Sequence, residues 1–209
     1  FRNSQRKQAF EKIFTIFKKT SFSSRSCYKY NLTMIIWLAS YPKSGNTWLR
    51  SILVSYMYTK NGEFNFKLLP KIYGFPARRF FKPYNDPLIN ITDTTKYWIP
   101  AQKKINSDNK LRLFKTHNAL GSVNNYNFTD RKNSCGCIYI IRDPRNVITS
   151  VKNYFEKNYE EALEFLLDEK AILSEKVENK YVNFNFLGSW QNHYKSWLDN
   201  KLFPTLLIK

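Results

Sequence analysis

Residues 40–48 bring a lysine, a serine, a glycine and a threonine together in the sequence S-Y-P-K-S-G-N-T-W. They follow a short apolar run, residues 35–39, and precede a helical pattern, so they join a predicted strand to a predicted helix. Free backbone amides at the start of a helix, aided by the helix dipole, bind phosphate. Gly45 lets the backbone approach an anion closely, and Lys43 adds a positive charge inside the turn. The segment therefore predicts a phosphate-binding loop.

This loop differs from the Walker A loop of ATP- and GTP-binding proteins. A Walker A loop reads G-x-x-x-x-G-K-[ST], with its lysine directly after the second glycine. Here Lys43 precedes Ser44 and Gly45, and the first glycine is absent. The sequence therefore predicts a phosphate loop of another kind, with an ordinary strand-to-helix turn as the alternative.

Two further groups of polar residues follow later strand candidates. K-T-H-N, residues 115–118, comes directly after L-R-L-F, and R-D-P-R, residues 142–145, comes after C-I-Y-I-I. His117 suits a general base at neutral pH, because an unperturbed imidazole has a pKa of about 6.5. Arg142 suits a phosphate, because a guanidinium binds phosphate in bidentate fashion. A hydrogen-bonded polar histidine and a surface arginine are the alternatives.

The elements that would position these groups alternate between strand and helix. Apolar spacing predicts strands over residues 35–39, 111–114, 137–141 and 205–208, and helices over residues 46–58, 143–155, 160–176 and 188–200. Strands separated by helices predict an α/β fold, with a central parallel sheet flanked by helices. Ligands of such sheets bind at the carboxyl ends of the strands, where all three polar groups lie. Residues 60–110 are rich in proline and aromatics and show no steady period, so they predict a long loop.

The chain is strongly basic, with a formal net charge of +18 over 209 residues. This charge suggests an anionic partner, such as a nucleotide, a sulfate ester, a nucleic acid or a membrane surface. No run of about 18 apolar residues is present, so no membrane span is predicted. Cys135 and Cys137 form C-G-C, which lacks zinc-site spacing and predicts only the opening of a buried strand. His193, between Trp190 and Trp197 on a predicted helix face, is assigned to the core.

The polar groups occur in the order of the motifs of a known family. Y-P-K-S-G-N-T-W resembles the 5′-phosphosulfate loop of the cytosolic-type sulfotransferases, Y-P-K-[SA]-G-T-T-W, with Asn46 in place of a threonine. K-T-H-N resembles the family's K-T-H-L-P, and residues 142–154 resemble its 3′-phosphate motif, R-[ND]-P-[KR]-D-V-x-x-S-x-x-x-Y. G-S-W-Q-N-H-Y-K-S-W, residues 188–197, resembles the family's G-S-W-x-x-H-V helix. The resemblance spans residues 35–209.

The resemblance implies a P-loop-like, three-layer α/β/α fold and a cytoplasmic enzyme. Such an enzyme moves a sulfuryl group from 3′-phosphoadenylyl sulfate (PAPS) to an acceptor hydroxyl or amine, and no metal is required. His117 is implied as the general base with Lys115 beside it, while Lys43 stabilises charge on the leaving phosphate. The residues implied to bind PAPS are Lys43, Ser44, Gly45, Asn46, Thr47, Trp48, Arg142 and Ser150.

The acceptor stays open in the sequence. The aromatic, proline-rich residues 64–98 are expected to form the acceptor pocket or a lid over it. Their aromatic rings suit a hydroxylated small molecule, Arg78 and Arg79 suit an anionic one, and a carbohydrate is the third option. No nucleic acid is expected as a partner, and the sequence does not reveal the oligomeric state.

Two other functions stay open when the residues are considered without the resemblance. A P-loop kinase or NTPase would need Mg²⁺ and the Walker A lysine. A non-catalytic nucleic-acid binder would need a basic helix or an aromatic platform. Titration of the chain with 3′-phosphoadenosine 5′-phosphate (PAP), with ATP–Mg²⁺ and with DNA would separate the three functions.

We expect one sulfotransferase domain over residues 34–209, preceded by a basic arm, residues 1–33, that is loose or not native. In the family, the chain continues past the last strand into a basic, glycine-containing loop over the 3′-phosphate. This chain is expected to stop short of that loop. Residues 34–209 alone are therefore expected to be poorly soluble and nearly inactive, and the C-terminal segment of a full-length relative is expected to restore PAP binding.

Overall fold

The computed structural model describes residues 34–87, 89–90, 92–177 and 180–209. The predicted basic arm, residues 1–33, lies outside the described residues. The strands are β1 (Ile35–Ser40), β2 (Tyr73–Gly74), β3 (Arg112–Thr116), β4 (Ser122–Val123), β5 (Tyr126–Asn127), β6 (Ser134–Ile140), β7 (Ile172–Val177), β8 (Lys180–Phe186) and β9 (Thr205–Ile208). The α-helices are α1 (Asn46–Tyr58), α2 (Trp98–Asn106), α3 (Pro144–Tyr154), α4 (Tyr159–Leu167) and α5 (Trp190–Leu198). Short 3₁₀ helices cover Phe66–Lys71, Arg78–Phe80, Lys82–Tyr84 and Thr95–Tyr97.

Five parallel strands form the central sheet in the order β2-β3-β1-β6-β9. Their carboxyl ends are in register, since Ala39 pairs with Thr116, Ser40 pairs with Ile140, and Ile140 pairs with Ile208. The residues that follow β1, β3 and β6 therefore leave the sheet along one edge. This edge is where ligands bind in open parallel sheets.

The central strand β1 is buried on both faces and separates two hydrophobic clusters. Trp37 belongs to a cluster that contains Trp98 of α2 and Trp197 of α5. Leu38 belongs to the other cluster, with Val54 and other side chains of α1. Because successive side chains of a strand point to opposite faces, helices cover the sheet on both sides. This arrangement confirms the predicted α/β class, with a P-loop-like, three-layer α/β/α architecture.

Most of the predicted elements are confirmed, with shifts of a few residues at their ends. Helix α1 has the predicted bounds, Asn46–Tyr58. Asp143 caps α3 by accepting a hydrogen bond from the Arg145 amide at 2.9 Å, with Pro144 as the first helical residue. Helices α1 and α3 could be predicted because their caps and their apolar spacing are local features of the sequence.

The predicted helix over residues 160–176 is wrong in its second half. Helix α4 ends at Leu167, and Asp168 takes an extended conformation and accepts a hydrogen bond from the Lys170 amide. Residues 172–177 form β7 instead, which pairs antiparallel with β8, a strand that the sequence did not predict. Residues such as Glu175 and Lys176 favour a helix locally, but the ladder with β8 satisfies their backbone groups in an extended form.

The prediction of a continuous loop over residues 60–110 is also wrong, because α2 lies within it. Pro100 obscured this helix in the sequence. It is the third residue of α2, where a proline costs little because the first amides of a helix have no partner inside the helix. Phe75, Phe81 and Trp98 from this segment fill the core, while Phe66 and Tyr73 are exposed.

Candidate active site

The loop after β1 turns sharply into α1. Lys43 and Gly45 have left-handed backbone conformations, with φ of 66° and 98°. Gly45 occupies the N-cap position of α1, and a φ of 98° is one that residues with a side chain rarely adopt. The turn is closed by a hydrogen bond from the Ser44 amide to the Tyr41 carbonyl at 3.3 Å. The sequence K-S-G therefore produces the strand-to-helix turn that was predicted.

Asn46 holds the loop to the end of β1. Its side-chain amide donates to the Leu38 carbonyl at 3.0 Å and to the Ser40 hydroxyl at 3.2 Å. The residue is 4% exposed, so its side chain faces the strand more than the solvent. This placement ties the start of α1 to the strand end that precedes the loop.

Three other residues of the loop present groups that a ligand could use. The Ser44 hydroxyl is buried, and no hydrogen-bond partner for it occurs among the described residues. Thr47 is exposed, and Trp48 exposes 69% of its surface. A buried hydroxyl without a partner is costly, so it favours a bound polar group at this position.

Arg142 lies next to the loop, as its position after β6 predicts. Its guanidinium donates to the Lys43 carbonyl at 3.0 Å, which joins the ends of β1 and β6. The Lys43 ammonium lies 3.8 Å from the centre of the Tyr154 ring, a cation–π contact with α3. Ser150 lies one turn before Tyr154 on the same helix and is half-buried. The loop and α3 therefore place two cations and a serine around one edge of the sheet.

A cavity of about 520 Å³ opens beside these residues. Its lining includes Ser44, Trp48 and Arg142, together with Trp190 of α5 and Ile208 of β9. It therefore spans the ends of β1, β6 and β9. A cavity of this volume is within the range of small-molecule sites, and it combines two indole rings with a guanidinium.

His117 follows β3 and reaches across to the end of β1. Its Nδ1 atom lies 2.8 Å from the Ser40 carbonyl oxygen and 3.3 Å from the Ser40 hydroxyl. A carbonyl only accepts hydrogen bonds, so Nδ1 carries the proton and Nε2 is the basic nitrogen of the neutral ring. Burial, reinforced by the nearby ammonium of Lys115, lowers the pKa of His117 well below its usual value. The imidazole is therefore neutral at pH 7.

Two cations, Lys115 and Arg50, lie near enough to His117 to lower its pKa. Burial, together with the charge of Arg50, lowers the pKa of Lys115 to about 8. The guanidinium of Arg50 donates to the carbonyls of Leu69 and Ile72, both at 2.9 Å. The sequence did not indicate Arg50 as part of this site, because its partners are backbone carbonyls 19 and 22 positions along the chain.

His193 lies in the core, where the sequence placed it, but both of its ring nitrogens are hydrogen-bonded. Nε2 lies 2.9 Å from the His117 carbonyl oxygen, and Nδ1 lies 2.8 Å from the Tyr139 hydroxyl. Burial lowers the pKa of His193 to about 4, so this ring is also neutral near pH 7. The sequence did not indicate that Tyr139 belongs to the site, because it lies inside an apolar strand.

The structure thus brings the predicted residues to one edge of the sheet. The loop, Arg142 and the cavity present groups that suit a phosphorylated ligand. His117 is bound to Ser40 at the start of the loop and offers an unprotonated nitrogen. Within the residues that the structure describes, no cluster of three or more His, Cys, Asp or Glu side chains could hold a metal ion. Nor does the described part of the chain contain a helix long and apolar enough to cross a membrane.

A comparison with protein-family models gives one match. Residues 34–208 match the model described as the sulfotransferase domain. No curated protein sequence matches the chain. The matched range contains every described element, from β1 to β9.

Proposed function

Because the match over residues 34–208 shows that this chain belongs to the sulfotransferase domain family, we propose that it transfers a sulfuryl group from PAPS to a hydroxyl or amine of an acceptor. The observation that carries this proposal is the position of His117. Its ring is hydrogen-bonded to Ser40, which is the last residue of β1 and the first of the proposed phosphate loop. The basic nitrogen of His117 and the proposed anion site are therefore held next to each other, as transfer from a nucleotide-borne donor requires.

The residues around the loop fit the donor. The unpartnered hydroxyl of Ser44 needs a polar partner, and Lys43 and Arg142 bring two positive charges to the same place. The exposed ring of Trp48 lines the adjacent cavity, where it can stack on a planar base. PAPS, when bound, supplies the sulfuryl group and a phosphate as the leaving group.

Lys43 has the role of balancing negative charge at the loop. Sulfuryl transfer resembles phosphoryl transfer, in which charge builds on the leaving oxygen as the bond breaks. An ammonium held in the turn stabilises that charge more than it stabilises the ground state. Arg142 fixes the turn by binding the Lys43 carbonyl, and with Ser150 it is proposed to bind the 3′-phosphate.

His117 has the role of general base. Its Nδ1–H is directed to the Ser40 carbonyl, which leaves Nε2 free to take the proton from the acceptor hydroxyl. The depressed pKa keeps this nitrogen unprotonated at neutral pH. Lys115, on the strand that ends before His117, adds a cation to the same region.

The acceptor side is proposed to include the exposed part of residues 64–98. Tyr73 is exposed, and the guanidinium of Arg79 lies 3.8 Å from the centre of its ring. This pair offers an aromatic face together with a positive charge, which suits a hydroxylated aromatic, an anionic small molecule or an anionic carbohydrate. The proposed location is the cytoplasm, where PAPS would be the donor.

The proposal is tested by binding and by transfer. Titration calorimetry should show PAP binding, with no binding of ATP–Mg²⁺ or DNA of comparable affinity. Transfer of radiolabelled sulfate from PAPS is then screened over phenols, alcohols and carbohydrates. The screen uses this chain and, in parallel, the chain extended by the C-terminal segment of a full-length relative. Preference for ATP–Mg²⁺ would support a kinase or NTPase, and binding of neither nucleotide by this chain or by the extended chain would contradict the proposal.

A variant of the base tests the roles directly. We expect His117→Ala to lose about 10²-fold or more in transfer, because general-base catalysis is worth about 10²–10⁴-fold. PAP affinity should stay within a few-fold, since the imidazole faces the acceptor. A large loss of PAP affinity would instead assign His117 to donor binding.

A further inference from the structure

The proposed donor site does not use the motif of residues 188–197, most of which lies on α5. Three polar side chains on one face of this helix contact the backbone of residues 117–120, which carries the proposed base. His193 Nε2 lies 2.9 Å from the His117 carbonyl, and Trp197 Nε1 donates to the Asn118 carbonyl at 3.0 Å. The Ser196 hydroxyl accepts a hydrogen bond from the Leu120 amide at 2.9 Å. The spacing of the three side chains, i, i+3 and i+4, is that of one helix face.

These contacts begin where the pairing of β3 ends. β3 stops at Thr116, and the Ala119 amide then donates to the Phe186 carbonyl of β8 at 2.7 Å. The carbonyls of His117 and Asn118 and the amide of Leu120 have their partners on α5. A buried carbonyl or amide without a partner is costly, and α5 supplies two donors and one acceptor to these backbone groups. The helix therefore holds the chain at the point where His117 leaves the sheet.

His193 also connects this backbone to the rest of the site. Because the His117 carbonyl can only accept, Nε2 of His193 carries the proton, and Nδ1 accepts a hydrogen bond from the Tyr139 hydroxyl at 2.8 Å. The ring of Tyr41, in the phosphate loop, packs edge-on against His193 with 5.4 Å between the ring centres. The His117 ring in turn binds the carbonyl of Ser40, the residue before Tyr41. The contacts form a closed circuit between the loop and the base.

We propose that α5 acts as a clamp on residues 117–120 and that His193 is a positioning residue for His117. The clamp fixes the backbone of His117 so that its ring stays on the Ser40 carbonyl and Nε2 stays free. This inference rests on the proposed function, in which Nε2 takes the acceptor proton. A catalytic group displaced by about 1 Å can cost about 10²-fold in rate, so a residue that never touches substrate still controls transfer.

The two histidines of the chain are both in this circuit, which makes nitrogen NMR a direct test. In the ¹⁵N-histidine-labelled protein we expect two neutral rings, His117 with the proton on Nδ1 and His193 with the proton on Nε2. In His193→Phe the remaining ring should exchange between both tautomers. A folded His193→Phe protein whose His117 keeps a single Nδ1–H tautomer would overturn the proposal.

Conservative variants separate the hydrogen bond from the packing. The amide nitrogen of glutamine can occupy the position of Nε2, so His193→Gln should keep the His117 tautomer and transfer within about threefold of the wild type. His193→Phe should lose about tenfold or more in kcat, with PAP affinity within a few-fold. Equal rates in His193→Phe and the wild type would also overturn the clamp.

A control on the same helix excludes a general loss of helix stability. The Ser189 hydroxyl caps α5 by accepting from the Asn192 amide at 3.3 Å, and among the described residues it makes no hydrogen bond with residues 117–120. Ser189→Ala should therefore lower the melting temperature without changing the His117 tautomer. If His193→Phe does not fold, Ser196→Ala removes the acceptor of the Leu120 amide and should give a smaller change of the same kind. A change of tautomer in Ser189→Ala but not in Ser196→Ala would overturn the clamp.

The outcomes distinguish this inference from the proposed function. The NMR measurement needs neither donor nor acceptor, so it reports on the clamp even when no transfer is found. Absence of PAP binding and transfer, both in the wild type and in the extended chain, would contradict the proposed function alone. If the wild type transfers sulfate but the folded His193→Phe protein keeps the His117 tautomer unchanged, the clamp alone would be contradicted.

Discussion

The chemistry of single residues in this site follows from where their charges are held. Lys43 is in a left-handed conformation, and its ammonium rests on the ring of Tyr154. His117 is kept neutral by burial and by Lys115. Lys43 is therefore suited to stabilise negative charge on a ligand, and His117 is suited to accept a proton.

Removing the charge of Lys43 tests its role while most of the length of its side chain is kept. We expect Lys43→Met to lower transfer by at least about tenfold, because it removes stabilisation of the charge that develops on the leaving group. Its melting temperature should stay close to that of the wild type, since the contact with Tyr154 is at the surface. Lys43→Arg, which keeps the charge, is the control, and near-unchanged turnover of Lys43→Met would show that Lys43 has no such role.

The charge of Lys115 predicts a shift in the pH profile. A positive charge nearby disfavours protonation of His117, so Lys115→Met should raise the pKa of His117 toward its ordinary value. The acid limb of kcat/KM, which reports the base of the free enzyme, should then move to higher pH. Lys115→Arg should leave that limb in place, and the same limb in all three proteins would contradict the prediction.

At the scale of elements, the phosphate loop depends on one backbone conformation. Gly45 and Gly121 both have open space where a Cβ would be added, but only Gly45 has a positive φ, of 98°. The conformation, rather than crowding, is therefore what excludes a side chain at Gly45.

The two glycines make a matched pair of variants. We expect Gly45→Ala to lower the free energy of unfolding by about 1–2 kcal/mol through backbone strain, and to weaken PAP binding as the loop rearranges. Gly121→Ala should change stability by no more than about 0.5 kcal/mol. Urea denaturation and PAP titration of both variants check this, and equal stabilities would exclude strain at Gly45.

At the scale of the whole molecule, two neutral histidines make stability depend on pH, His193 fully buried and His117 half-buried. The pKa of His193 is lowered to about 4 by burial, and that of His117 is lowered as well. Below a pH of about 6.5 the unfolded chain binds protons that the folded chain does not. The free energy of unfolding therefore falls as the pH falls from about 6.5 toward 4.

The contribution of His193 to this fall is on the order of 3 kcal/mol, because one pKa unit corresponds to about 1.4 kcal/mol. In His193→Gln this contribution should be absent, so the slope of stability against pH should be shallower between pH 6.5 and 4. Urea denaturation at several pH values in that range is the measurement. Parallel curves for the two proteins would show that His193 is not buried as a neutral ring.

The sequence by itself determined the strand-to-helix turn after β1, the helix Asn46–Tyr58, the Asp143 cap and the alternation of β1, β3, β6 and β9 with helices. Each of these depends on residues a few positions apart, such as a glycine at a turn or an apolar face with helical spacing. The family could also be predicted from the sequence, because each of its motifs is a short run of neighbouring residues. The match over residues 34–208 bears out that interpretation.

Only the tertiary structure decided the rest, because the deciding contacts join residues far apart in the chain. His117 takes its tautomer from a carbonyl 77 positions away, and His193 meets the His117 backbone across 76 positions. Residues 172–177 are a strand rather than a helix because β8 completes their ladder. Local propensity cannot report such contacts, since their free energy appears only once the sheet has brought the partners together.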